Sequence, residues 1–138
     1  MIIIPYINII ILLILGFIHI SWAMGGTKGM SVAIPKDTKG KPLFKPGMLG
    51  ALFVAMALIC FAYFHYSYIH ASPEVKKITG YLLLAGYIVF FVRAIGDFKY
   101  SGFFKKVRNT KFARNDTWFY SPLCLLIAVL GFINYFYN

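Results

Sequence analysis

The chain has 138 residues, of which 60% are hydrophobic and 19% aromatic, and it carries a formal net charge of +10. So apolar a composition excludes an ordinary soluble domain. The positions of the cations, described below, also make nucleic-acid binding a poor explanation of the charge.

Four runs of mostly apolar residues are each about as long as a helix must be to cross the hydrocarbon core of a bilayer, roughly 20 residues. They predict an all-α integral membrane bundle with transmembrane helices at Ile2–Trp22, Gly47–His70, Ile78–Gly96 and Phe119–Tyr137. Four spans use most of the chain, so we expect a single membrane domain over residues 1–138.

The first apolar run resembles a cleavable secretory signal in one respect, the small residues of "SWA" before Met24. However, no cation precedes the run, and its length of roughly 20 residues exceeds the 7–15 of a signal core. We therefore expect the run to remain as the first span.

One face of the first span combines polar and small side chains at helical spacing. It is formed by Asn8, Leu12, Gly16, His19 and Ala23, with Trp22 beside it. We expect this face to point into the bundle. His19 and Trp22 are then either interfacial anchors or part of an inward-facing polar site.

The second span carries a stripe of small residues, which allows close approach of another helix. The stripe is formed by Gly47, Ala51, Ala55 and Ala62. At the end of this span, His65 and His70 lie among tyrosines, and an aromatic belt at the membrane interface accounts for both histidines.

The third span repeats Thr79, Gly86 and Arg93 every seven residues, and Asp97 follows one turn later. This spacing allows an Arg93–Asp97 ion pair. Two interpretations stay open. The pair is a salt bridge that fixes the end of the helix, or Arg93 binds an anion and Asp97 orients it.

Aromatic residues and cations alternate after the third span. The segment contains Phe103, Phe104, Lys105, Lys106, Val107 and Arg108. This pattern predicts a short helix in the membrane interface, with its three cations in contact with lipid headgroups. Next along the chain, Asp116 precedes Ser121 and Pro122, which are suited to the cap and first turn of the fourth span.

The cations between the spans predict the orientation. The first link carries Lys28, Lys36, Lys39, Lys41 and Lys45, and the third carries Lys99, Lys105, Lys106, Arg108, Lys111 and Arg114. The opposite side has only Lys76 and Lys77. The positive-inside rule therefore places both long links in the cytoplasm and both termini outside, with anionic lipid headgroups as partners of the basic links.

Most of the polar candidates then lie at one depth, near the cytoplasmic ends of the first, third and fourth spans. These candidate ligand-binding residues are His19, Trp22, Arg93, Asp97, Asp116 and Ser121. We expect them to converge on a pocket. No CxxC pair and no His/Cys cluster at zinc spacing occurs, so neither a metal nor another cofactor is expected.

Three motifs resemble a family of small bacterial four-span membrane proteins of uncharacterised function, domain of unknown function 3995. The motifs are "HISWAMGG", "RAIGDFKYSGFFKKVR" and "FARNDTWFYSPLCLL". The chain matches the family pattern at His19, Trp22, Gly25, Gly26, Arg93, Gly96, Asp97, Gly102, Phe103, Phe104, Phe112, Asp116, Ser121 and Pro122. The resemblance implies a four-span fold in the bacterial cytoplasmic membrane and no activity.

Three functions are compatible with such a pocket. In the first, Arg93 and the basic segment hold the anionic headgroup of a lipid or isoprenoid, and the bundle takes its tail. Because four spans make a narrow bundle, we expect transport to require a homodimer or a membrane protein partner.

In the second, the protein is a membrane enzyme acting on an amphiphile. His19 is the general acid or base, Asp97 or Asp116 orients it, and Arg93 stabilises an oxyanion. The chain lacks a nucleophile motif such as G-x-S-x-G, which counts against this hypothesis. In the third, the protein is an accessory subunit that docks on a membrane complex through its basic links.

Overall fold

The protein is described by a computed structural model for residues 3–45 and 47–137, and over these residues it is helical without a strand. Helix α1 is Ile3–Ala23, α3 is Met48–His70 and α4 is Pro73–Ile95. The fourth long helix is continuous from Lys111 to Tyr137. It consists of α5 (Lys111–Asn115), one π-helical turn (Asp116–Tyr120) and α6 (Ser121–Tyr137). A single turn, α2 (Met30–Ala33), lies in the first long link.

All four long helices are apolar and long enough to cross a membrane, which confirms the predicted fold class. The predicted first residue of span one, Ile2, falls outside the described residues. Helix α3, at the predicted second span, begins one residue after the predicted Gly47 and ends at His70. The third and fourth begin earlier than predicted, at Pro73 and Lys111.

The helices form a closed ring in which each contacts two neighbours: α1 packs on α3, α3 on α4, α4 on α6, and α6 on α1. Because consecutive helices run in opposite directions, both long links lie at one end of the ring. We call this end, formed by residues 24–45, 47 and 96–110, the basic end. The two-residue turn between α3 and α4 lies at the opposite end.

Small residues allow the helices to approach closely, as the sequence predicts for α1 and α3. Ala51, Ala55 and Ala62 are buried on α3, and Gly16 of α1 lies over this face, where an added Cβ would lie 3.7 Å from the Ala55 carbonyl oxygen. Lipid chains are as apolar as the helix surfaces, so contacts of this kind, rather than exclusion of water, hold such helices together. Gly47, predicted to belong to the same stripe, is exposed.

The residue that caps the fourth long helix is Thr110, not Ser121. The Thr110 hydroxyl accepts a hydrogen bond from the Ala113 N–H at 3.0 Å and so caps the helix. Ser121 is fully buried in the middle of the helix. The prediction that Ser121 caps the span is therefore wrong, because residues 111–117, most of which are polar, continue the helix beyond its apolar part.

The predicted interfacial helix around residues 103–108 is also absent, because the described residues 96–110 form no helix. The link instead folds back on the end of α4, where the N–H groups of Phe103 and Phe104 donate to the carbonyls of Ala94 and Ile95 at 2.9 and 3.4 Å. These bonds satisfy carbonyls that a helix C-terminus leaves without partners.

Candidate functional site

Asp116 is the centre of a buried ion cluster at the basic end. Its Oδ1 accepts a hydrogen bond from Arg93 Nη2 at 2.8 Å. Its Oδ2 accepts from the Gly102 N–H at 2.7 Å and from Lys105 Nζ at 3.1 Å. The carboxylate is fully buried. Because its charge is removed from water, it needs close partners of this kind to stabilise it. Asp116 thereby joins α4, the following link and the fourth helix.

Lys105 is buried as completely as Asp116, with 1% of its surface exposed. All three ammonium protons have acceptors: Asp116 Oδ2, the Gly102 carbonyl at 2.9 Å and Thr117 Oγ1 at 2.6 Å. The expectation that Lys105 contacts lipid headgroups is wrong, because its ammonium group is hydrogen-bonded inside the protein. Lys106 and Arg108 are exposed, as expected.

A crossing of two glycines brings Lys105 to the cluster. Gly96 and Gly102 both have positive φ, 94° and 86°. A Cβ on Gly96 would lie 1.8 Å from the Ser101 carbonyl oxygen, and one on Gly102 would lie 2.2 Å from that of Ile95. Only glycine permits both the backbone conformation and this approach.

Asp97 holds the loop between the two glycines. Its Oδ1 accepts hydrogen bonds from the N–H groups of Lys99, Tyr100 and Ser101 at 2.7–3.0 Å. Partial burial by itself would raise the pKa of this carboxyl, but the three backbone donors and nearby Arg93 outweigh burial and hold the pKa below its usual value. Asp97 is therefore an ionised loop organiser.

The ion pair of Arg93 differs from the one expected. Arg93 is bonded to Asp116, 23 residues away, and among the described residues no salt bridge joins it to Asp97. Asp97 lies beyond the end of α4, after the conformational break at Gly96, so the helical i,i+4 spacing no longer applies. Arg93 acts on Asp97 only as a neighbouring charge.

A mostly apolar cavity of about 550 Å³ lies beside the ion cluster, between the four helices and the first link. Leu15, Val54, Leu58, Phe90 and Leu123 form much of its apolar wall. Its polar or ionisable lining residues are His19, Trp22, Lys28, Arg93, Tyr120 and Cys124. Three of the six residues predicted to bind a ligand, His19, Trp22 and Arg93, therefore share this cavity.

The other three predicted residues do not line it. Asp116 lies behind Arg93, Asp97 organises the link, and Ser121 is buried with an Oγ that has no hydrogen-bond partner among the described residues. Arg93 is thus the one candidate that connects the ion cluster to the cavity.

His19 and Trp22 shape the mouth of the cavity near the first link. His19 Nδ1 lies 2.8 Å from the Leu15 carbonyl, which accepts its proton, and the imidazole meets the Trp22 ring edge-on with centroids 4.9 Å apart. The indole N–H donates to the Lys28 carbonyl at 2.8 Å and ties the link to α1. In a neutral ring, the lone pair of His19 is therefore on Nε2.

The charge of the cluster is not balanced. Arg93 and Lys105 contribute two positive charges and Asp116 one negative charge. In addition, Arg93 Nη1 is buried and has no hydrogen-bond partner among the described residues. An unpaired buried donor costs about 1–3 kcal/mol, and more for a charged group. The buried cluster thus contains one more cation than anion, while the ionised Asp97 lies near Arg93 outside it.

The arrangement gives little support to acid–base chemistry. His19 is bonded to a backbone carbonyl, while Asp97 and Asp116 are held by backbone N–H groups and by cations. No carboxylate is hydrogen-bonded to His19 in the described part of the chain. Over the same residues, no group of three or more His, Cys, Asp or Glu side chains could hold a metal ion.

A second polar cluster lies in the interior, away from the basic end. His65 is fully buried, and its Nε2 accepts from Tyr87 Oη at 3.1 Å and lies 3.4 Å from Asn8 Nδ2. Asn8 Nδ2 also donates to the Ile127 carbonyl at 3.2 Å. Assignment of His65 to an aromatic belt is therefore wrong. His70 is exposed and bonded to Tyr6, as a belt residue would be.

Sequence reasoning missed the roles of Lys105 and Tyr87. The spacing of Tyr87 from Gly80 and Leu83, all buried, was an available indication of an inward face. No local pattern distinguishes Lys105 from Lys106, because the glycine crossing decides which of them turns inward.

Comparison with known proteins gives one match. A family model described as "Protein of unknown function (DUF3995)" matches residues 12–131, which include Arg93, the glycine crossing and Asp116. No curated protein and no solved structure matches the chain. The matched region covers most of the chain and supports the resemblance noted in its motifs. The chain belongs to the DUF3995 family.

Proposed function

We propose that the protein resides in the bacterial cytoplasmic membrane and binds, or helps to transport, an anionic amphiphile. The headgroup binds at Arg93, and the lipid or isoprenoid tail occupies the adjoining cavity. The observation that carries this proposal is that Arg93, held by Asp116, lines an apolar cavity and keeps 36% of its side chain exposed.

The size and lining of the cavity suit an amphiphile. Ligand sites are typically apolar clefts of about 300–1,000 Å³ with a few fixed polar groups. A volume of about 550 Å³ falls within this range. Because the polar groups include Arg93, Lys28 and His19, one end of the ligand would meet donors and cations while the other meets apolar side chains.

Electrostatics supports an anionic headgroup. A guanidinium binds phosphate and carboxylate oxygens through fixed N–H groups, and these charge-assisted bonds are stronger than neutral ones. Asp116 already fixes the orientation of Arg93. The Arg93 side chain would therefore lose less conformational freedom on binding.

We place the basic end in the cytoplasm by the positive-inside rule. The exposed cations Lys106 and Arg108 would then contact anionic headgroups of the inner leaflet, where each basic residue adds about 1 kcal/mol. A narrow four-helix bundle would need a homodimer or a membrane protein partner to move the ligand across the bilayer.

The test is native mass spectrometry of the protein released from a mild detergent. We expect wild type to retain an amphiphile, whose mass distinguishes a phospholipid from an isoprenoid. Arg93→Ala should lose it because the headgroup loses its donor. Lys106→Ala, which removes an exposed cation at the same end, should retain it.

A second variant, Val54→Trp, addresses the tail by filling the cavity without touching the ion cluster, and it should also lose the ligand. Wild-type protein that is free of amphiphile would contradict the proposal. If a stoichiometric protein partner appeared in its place, the accessory-subunit function would be supported instead.

A further inference from the structure

Two exposed phenylalanines stand together on the link that follows α4. Phe98 and Phe104 are 59% and 63% exposed, and their ring centroids lie 6.4 Å apart. We call this pair the phenylalanine wedge. Two large apolar side chains side by side on a surface mark a contact with another apolar phase more often than isolated ones do.

The backbone of Phe98 is unusual. Its φ is 62°, and among the described residues it is the one non-glycine residue with a positive φ. A bulky residue rarely adopts this conformation, and departures of this kind collect at functional sites. Glycine would fit the turn better, so the turn itself does not account for a phenyl ring at this position.

The wedge cannot move far from the end of α4. Asp97 Oδ1 binds three backbone N–H groups of the same turn, and the link is bonded to the last carbonyls of the helix. The exposed apolar side of α4, which includes Val89 and Val92, leads toward this end. The wedge therefore stays at the level where α4 leaves the membrane.

Exposed cations neighbour the wedge in the sequence. Lys99, Lys106 and Arg108 are all exposed, while the fourth cation of the segment, Lys105, is buried in the ion cluster. Apolar rings beside exposed cations match a bilayer leaflet with anionic headgroups, into which rings insert while cations remain at the phosphates.

We propose that the phenylalanine wedge inserts into an anionic membrane leaflet and anchors the link, with Phe98 and Phe104 below the phosphates and Lys99, Lys106 and Arg108 among them. This inference is independent of the cavity. It replaces the interfacial helix predicted from the sequence with a rigid loop that presents two rings.

The test measures the depth of nitroxide labels by electron paramagnetic resonance in vesicles that contain phosphatidylglycerol. Labels are placed by Phe98→Cys, Phe104→Cys, Lys99→Cys and Asn109→Cys in a Cys60→Ala/Cys124→Ala background. Collisions with oxygen report contact with lipid, and collisions with a water-soluble nickel chelate report contact with water.

We expect labels at positions 98 and 104 to collide more with oxygen than with nickel, and labels at 99 and 109 to do the reverse. Lys99→Cys is the critical control, because a nitroxide that inserted by its own apolarity would do so there as well. Similar nickel contact at positions 98 and 109 would overturn the proposal. Low collision with both reagents at 98 and 104 would also overturn it, since it would indicate a protein surface over the wedge.

Discussion

At the scale of single residues, burial separates two adjacent lysines. Lys105 and Lys106 follow one another in a basic segment, yet Lys105 is 1% exposed and Lys106 is on the surface. A buried ammonium requires a carboxylate and further acceptors, which Asp116, Gly102 and Thr117 supply. The three acceptors around its ammonium group therefore explain why a lysine can be buried at position 105.

We predict that Lys105→Met lowers the free energy of unfolding by about 3 kcal/mol, at the low end of the range for breaking a buried ion pair because Arg93 still pairs with Asp116. The matched variant Lys106→Met should change stability by less than about 0.5 kcal/mol, as surface substitutions do. Denaturant unfolding in mild detergent measures both. Equal stability of the two variants would contradict the buried cluster.

At the scale of elements, the link between α4 and α5 is built by its two glycines. Gly96 adopts φ 94° and ψ −172°, a region essentially restricted to glycine. The position that a Cβ would take at Gly96 is occupied by the backbone of Ser101 and Gly102. This crossing lets the link return to the helix end, places the Gly102 N–H on Asp116 and exposes Phe98.

We predict that Gly96→Ala destabilises the protein by about 1–3 kcal/mol through conformational strain alone. Overlap of the new Cβ with the backbone adds to this destabilisation. Gly50→Ala is the control, since Gly50 is helical and has open space around its Cα. That change should be neutral or should stabilise by less than about 1 kcal/mol. Thermal unfolding provides the comparison, and similar melting temperatures would be evidence against the crossing.

The continuous fourth helix also contains a local irregularity. The π-helical turn begins at Asp116, and its residues include Tyr120, which lines the cavity. Single π turns inside α-helices occur frequently at functional sites. Here the turn separates the polar start of the helix from α6 and presents Asp116 toward Arg93.

At the scale of the whole molecule, the ring of four antiparallel helices places all the cations of the long links at one end. The cavity and the ion cluster lie near that end as well. If the basic end faces the cytoplasm, any headgroup bound at Arg93 belongs to the inner leaflet.

We predict that a membrane-impermeant maleimide labels Lys77→Cys in intact spheroplasts, whereas it labels Lys39→Cys only after permeabilisation. Both positions are exposed, and the background is Cys60→Ala/Cys124→Ala. The reverse pattern would show that the orientation is inverted. Labelling of both positions from outside would be incompatible with links on opposite sides of the membrane.

The sequence determined the four helices, because spans of about 20 apolar residues have few alternatives to a helix in hydrocarbon. It also determined the inward face of α1, since Asn8, Leu12 and Gly16 recur at helical spacing and all three are buried. Of the six residues predicted to converge on a pocket, His19, Trp22 and Arg93 line one cavity, because helix direction and length determine the depth of each.

Only the tertiary structure decided which charges pair. Arg93 prefers Asp116 to nearby Asp97 because Gly96 ends the helix and Asp97 is taken by backbone N–H groups. The contact between Lys105 and Asp116 depends on the glycine crossing, and the contact between His65 and Asn8 depends on the packing of α1 against α3. Periodicity along one helix reports its inward face, whereas the partner across the bundle follows from how the helices and links meet.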